Sequence, residues 1–278
     1  IMKYSIWNQT RRIENEYVKS LYTLCDMFRK IAESVGEDQE LYRQRMNNFQ
    51  NSYQYEKFIT SAVKRMVTPL SSINEQTWRK AARKSTQSKF LYGLLIDDIK
   101  QNHEAMINDQ IITNASLIRT LPNDVAEKVV KNIAEEAIKG KRARPIEKII
   151  RQDTDKHSRA SARLIARTEV AKTQSAITKT RAQNLDMHWY VWRTALDGDR
   201  VRKSHRLMEG VIVNWNDPPS PEELAGEQSV GRYHAGNIWN CRCYSEVLLD
   251  VDDVKWPHKV YRNGQITKMT KTEFMNIM

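Results

Sequence analysis

The segment GRYHAGNIWNCRC, Gly231 to Cys243, places two cysteines in a C-x-C pair with His234 seven residues upstream of the first. Thiolates and imidazoles are the usual donors of a tetrahedral zinc site, and His205, His234, Cys241 and Cys243 would make a two-His, two-Cys set. Against that, C-x-C is tighter than the C-x₂₋₄-C of most structural zinc sites, and the histidines lie at irregular distances. If the pair stands on an extended strand, its residues project to one face about 6.5 Å apart, while disulfide Cβ atoms lie about 3.5–4.5 Å apart, so an internal disulfide would need a bent backbone. A nucleophilic cysteine with a histidine base would need an orienting third residue, and none is evident. The plain structural reading is a lead-in loop, Gly231 to Trp239, running into a core strand. On that strand Cys241 and Cys243 face inward and Arg242 faces the other way.

A second dense polar stretch, DGDRVRKSHRLMEG, holds Asp197, Asp199, Arg200, Arg202 and His205. Asp199 and His205 are candidates for acid/base work in a nuclease or transferase, with a carboxylate orienting an arginine or histidine. The same residues also suit a turn, since Asp-Gly favours one and acidic residues cap a following helix. The chain has no Gly-rich phosphate loop, no G-x-S-x-G and no H-E-x-x-H, which removes the commonest nucleotide, serine-hydrolase and metalloprotease readings.

The elements that must position these residues follow from periodicity. Ile13, Tyr17, Leu21, Leu24 and Phe28 form one helical stripe ahead of Gly36, and Cys25 within it reads as a core residue. A second helix is expected from about Asp38 to Val67, stopping at Thr68-Pro69. A third is expected from Asn74 to about Ile112, a fourth from Leu121-Pro122 to Gly140, and a fifth after Pro145. The next helix, HSRASARLIARTEVAKTQSAITKTRAQNL, carries the stripe Leu164, Thr168, Ala171, Ser175, Thr178, Ala182, Leu185, whose small members let another backbone come close. HWYVWRTAL, EGVIVNW and CRCYSEVLL read as strands, and Asn263-Gly264 as a hairpin turn. Trp189, Tyr190 and Trp192 could stack on bases, but aromatics on a strand are more often core. The expected fold class is α+β: a long, mainly helical N-terminal region followed by a small α+β module with a short antiparallel sheet. The expected divisions are 1–155, 156–252 and 253–278, the last a possible hairpin.

The net charge of +11 lies wholly before residue 201, since residues 201–278 carry 10 basic and 10 acidic side chains. Residues 128–181 hold 15 basic against 6 acidic, a surplus suited to nucleic acid or to an acidic protein face, or else to a solvated helix surface. Lys141, Arg142 and Arg144 in a basic connector, and the ridge Arg159, Arg163, Arg167, are the candidate DNA-proximal residues. No apolar run reaches the ~18 residues of a membrane span. The first residues lack the apolar core of a secretion signal, and three cysteines make no secreted-type framework, so a reducing compartment is expected.

Taken in order, ARLIARTEVAKTQSA, then W-x-x-A-L-D-G-D-R-V-R-x-S-H-x-x-x-x-G, a proline-rich loop and N-C-R-C resemble the phage head morphogenesis or minor head family, the Mu F-like and SPP1 minor capsid proteins. The resemblance is strong over about Ala160–Leu249. Its pattern falls on Ala166, Arg167, Thr168 and Glu169, then on Asp197, Arg200, Arg202, His205 and Gly210, then on Asn240, Cys241, Arg242 and Cys243. Many relatives carry a Pro-Gly in the loop where this chain reads GEQSVGRYHAGNIWN. The resemblance implies a low-copy virion component of the capsid interior, made in the host cytoplasm. Its implied partners are the portal protein, capsid or scaffolding proteins, and phage genomic DNA bound without sequence preference. A structural protein is expected rather than an enzyme, with no cofactor apart from the zinc option read from the residues. In that structural reading Arg167, Glu169, Asp197, Arg200, Arg202, His205 and Arg242 form a polar network, with Asp197 or Asp199 as the partner of Arg242. The rivals are an enzyme using Asp199 and His205, or a simple DNA-binding protein.

Overall fold

The computed structural model describes residues 6–7, 10–85, 88–113, 116–138, 145–195 and 201–278. The chain divides into two compact units. The helical unit comprises Arg11–Val67 and Ile111–Ala166; the mixed unit comprises the described part of Ile1–Thr10 with Thr68–Gln110 and Arg167–Met278.

The helical unit is built from α1 (Arg11–Glu33), α2 (Gln39–Gln50), the first part of α3 (Tyr53–Ala82), α5 (Ser116–Arg119), α6 (Leu121–Ile138) and the first part of α7 (Ile146–Asn184). The α1 stripe is its core: Ile13, Tyr17, Leu21, Leu24, Cys25 and Phe28 are all buried. Asp38 caps α2 by accepting from the Leu41 N–H at 2.9 Å, which satisfies a donor the helix cannot pair itself. Two hydroxyls close polar gaps in this core. Tyr42 Oη lies 2.6 Å from Thr154 Oγ1, and Tyr55 Oη donates to the Ile118 carbonyl.

Helix boundaries differ from the sequence expectation in three places. The second expected helix is two, α2 and α3, and Pro69 lies inside α3 rather than ending it. Val63, Met66, Val67 and Leu70 are each 0–1% exposed. Burying four such side chains at about 1.5–3 kcal/mol each outweighs the ~3 kcal/mol cost of an internal proline. The third helix begins later than expected, at Ser88, as α4 (Ser88–Thr113). The two helices expected after Pro145 are one, the 39-residue α7.

The mixed unit carries a five-stranded sheet in the order β3-β1-β2-β4-β5, with β1 (Trp189–Arg193), β2 (Ile212–Asn214), β3 (Tyr244–Val247), β4 (His258–Arg262) and β5 (Gln265–Met269). The α+β expectation holds, with one refinement: β2 and β4 pair in parallel, and the other neighbours are antiparallel. Both faces of β1 are covered. Tyr190 and Trp192 enter a core with Trp78, Leu95 and Trp215, while Trp189 and Val191 enter another with Val260 and Phe274. The strand aromatics are therefore core, and stacking on bases is excluded for them. The β4–β5 turn fits its sequence signal, because Asn263 and Gly264 take φ of +50° and +82°, the two positive values of a type I′ turn. The segment after residue 252 is thus an integral sheet edge. It ends in α9 (Lys271–Met275), closed by a Thr270–Glu273 capping box, with Phe274 edge-on to Trp189 at 5.0 Å.

Among the described residues, no helix is long and apolar enough to cross a membrane.

Candidate functional site

The short helix α8 (Lys203–Leu207) follows β1, and its His205 is 2% exposed. From the sequence, acidic residues are expected to cap this helix. The N-cap position is Arg202, and no side-chain cap bond forms there. The cysteines stand in the irregular segment just before β3, so strand alternation does not govern them. Asn240 takes φ +57° and turns the chain, and Cys241 and Cys243 are both buried. Their sulfurs lie 3.6 and 3.3 Å from His205 Nδ1. All three donor atoms lie within 4.8 Å of one another. The two cysteines do face one way, but through a turn, and Arg242 lines the same cavity as they do rather than pointing away.

Behind His205 runs a buried relay. Tyr233 Oη lies 2.7 and 2.8 Å from the two carboxylate oxygens of Glu222, and His205 Nε2 lies 2.9 Å from Tyr233 Oη. Ser204 Oγ donates to Glu222 at 3.2 Å. Burial and the adjacent Glu222 carboxylate push Tyr233 far above the usual phenol range, so it keeps its proton. The Cys243 N–H donates to Cys241 Sγ at 3.3 Å. Contact with Cys243, and after it with His205, holds Cys241 below the usual thiol range, while contact with Cys241 and burial push Cys243 up.

The cavity in front of this cluster measures about 260 Å³ and is lined also by Arg167, Ala195, Val201, Arg202 and Asn240. Helix α7 fixes its wall: Arg167 Nη1 donates to Asn240 Oδ1 at 2.5 Å, and the Asn240 N–H donates to Thr168 Oγ1 at 3.0 Å. Arg202 donates to the Trp239 carbonyl at 2.8 Å and lies over its ring. Gly236 is needed for the loop to pass. At φ +83° a Cβ there would stand 2.9 Å from the Cys243 carbonyl oxygen and 3.1 Å from that of Ala171. The close approach expected of the small-residue stripe on α7 is realised at Ala171.

Of the residues singled out from sequence, the structure brings together Arg167, Arg202, His205, Cys241, Arg242 and Cys243. His234 is not in the metal-type cluster. Its Nδ1 lies 3.2 Å from Tyr190 Oη and its Nε2 3.5 Å from Lys179 Nζ, which corrects the four-ligand set. Glu169 is buried. Asp197, Asp199 and Arg200, and with them the expected partner of Arg242, fall outside the described residues, as do Lys141, Arg142 and Arg144. In the helical unit, Arg159 is paired with Asp155 at 2.8 Å and Asp26 at 3.3 Å, and Arg163 donates to Tyr22 Oη at 2.6 Å. Arg159 is thus neutralised within the helical unit.

Sequence reasoning missed Glu222, Tyr233 and a second buried centre. In that centre Arg181, fully buried, donates to Asp98 at 3.2 Å and to Asn74 Oδ1 at 2.7 Å, and Asn184 and Asn102 donate to Asp98 at 2.6 and 2.9 Å. The available signal was the acid pair Asp97-Asp98 at the end of the apolar run LYGLLIDDI.

Fold and site together define a class: a small α+β module in which α8 and the segment before β3 bring together a buried His–Cys–Cys cluster. Residues 125–246, from α6 into β3, match the family model described as phage Mu protein F like protein. This match supports the resemblance read from the sequence. An uncharacterized protein of Haemophilus influenzae is 25% identical over 169 residues, 61% of this chain and 34% of the relative. The match thus spans about a third of that relative's length. No solved structure matches the chain.

Proposed function

We propose that the chain is a minor head protein: a low-copy virion component that acts at the portal and capsid interior in head assembly and in DNA packaging or delivery. The observation that carries this reading is the Mu F-like match over residues 125–246. Within the mixed unit the fold supports this reading: Arg167 and Thr168 of α7 bond to Asn240, and His205 of α8 is held beside Tyr233. The basic surplus of residues 128–181 supports contact with DNA through phosphates, which needs no base recognition.

The test is genetic. A nonsense codon at Tyr17 in the phage or prophage that encodes the chain is expected to lower the yield of infectious particles at least tenfold. Supplying the intact chain in trans is expected to restore it. Unchanged yield and unchanged DNA-filled heads would overturn the reading.

A further inference from the structure

We propose that His205, Cys241 and Cys243 bind one zinc ion, which ties α8 to the segment leading into β3. Among the described residues this is the one group of three or more His, Cys, Asp and Glu side chains whose donor atoms converge in this way. The distances fit. With Zn–S near 2.3 Å and Zn–N near 2.0–2.1 Å, tetrahedral angles put a ligand nitrogen about 3.6 Å from a ligand sulfur. The two N···S separations are 3.6 and 3.3 Å.

The protonation pattern also fits. Tyr233 Oη is within 2.8 Å of both oxygens of Glu222, a carboxylate that can only accept, so the phenolic proton points to Glu222. The Tyr233 oxygen therefore accepts from His205, which places the imidazole proton on Nε2. That leaves Nδ1 with its lone pair directed at both sulfurs, the tautomer a metal requires. A ligand histidine whose far nitrogen is anchored through a buried carboxylate is the usual supporting arrangement of zinc sites. On the sulfur side, the Cys243 N–H donates to Cys241 Sγ, a contact that stabilises thiolate over thiol. Soft thiolates with an imidazole select zinc over calcium, magnesium or manganese.

Binding displaces two thiol protons to solvent and forms two Zn–S bonds and one Zn–N bond, with no change of oxidation state. Three protein ligands leave one tetrahedral position. The ligand residues line the cavity of about 260 Å³, where water completes the shell.

The test uses the full chain purified without chelator from zinc-supplemented cells. Metal analysis is expected to find about one zinc per chain. Replacement by cobalt(II) should give thiolate-to-cobalt charge-transfer absorption and the strong visible bands of a four-coordinate ion. Thiol titration of the denatured protein should count all three cysteines. Cys243→Ser and His205→Ala should lose the metal, and Cys25→Ser should keep it. Where a variant fails to fold, the cobalt spectrum of the wild-type chain decides alone. Protein that carries no zinc and gives no thiolate-to-cobalt band on titration overturns the proposal. So does a count of one thiol, which would mean a Cys241–Cys243 disulfide.

Discussion

At the scale of single residues, the mixed unit is shaped by polar groups held in unusual states. Burial, and then Lys179, lower His234 to about 4, so the imidazole is neutral in the folded chain and gains a proton on unfolding at mildly acidic pH. Its contribution to stability is full above its unfolded value near 6.5 and is lost as pH falls toward 4, by about 3 kcal/mol. The wild-type chain should therefore lose stability between pH 6.5 and 4, and His234→Gln should flatten that window. Denaturant midpoints measured across the range check this. Arg181 makes a second residue-scale prediction. Burial lowers its pKa while Asp98 opposes that shift, and Asp98 itself is 8% exposed. Arg181→Met strands the carboxylate and should cost about 3–5 kcal/mol. Adding Asp98→Leu should recover part of that loss, giving a clear coupling in a double-mutant cycle by denaturant unfolding. Strict additivity would mean the two side chains do not interact.

At the scale of elements, the site depends on how closely the Cys-x-Cys segment and its lead-in loop lie on α7. Gly236→Ala should destabilise the chain by about 1–3 kcal/mol, because it places a Cβ against two backbone carbonyls at a positive φ. A melting temperature equal to wild type would mean that the loop moves freely off α7. Much of this level was legible in the sequence. The α1 stripe, the strand aromatics, the Asn263-Gly264 turn and the small residues of α7 each express a local rule, and the structure obeys each one. What was not legible was decided by packing between distant segments. Pro69 should end a helix by local chemistry, yet burial on either side of it in sequence carries α3 through. Cys241 and Cys243 look like strand neighbours, yet Asn240 in a left-handed turn takes them out of the strand. Glu222 sat in an unremarkable Pro-Glu-Glu stretch, because nothing local shows that Tyr233 and His205 fold onto it.

At the scale of the whole molecule, the uneven distribution of charge makes a prediction of its own. The basic surplus lies in residues 1–200, and part of the α7 ridge is already paired within the helical unit. DNA contact should therefore rest more on Lys141, Arg142 and Arg144 than on Arg159. Duplex binding is expected to weaken steeply between 50 and 200 mM salt, and neutralising those three residues should reduce the log–log salt slope by about 3. Neutralising Arg159 should leave the slope almost unchanged. Fluorescence anisotropy with an unrelated-sequence duplex measures both.

The claim that the chain is a minor head protein is tested most directly by quantitative mass spectrometry of gradient-purified proheads and DNA-filled heads from the phage that encodes it. The chain should be present in the particles at a small fraction of the molar amount of the major capsid protein. Its absence from both kinds of particle, with the chain abundant in the lysate, would contradict the account.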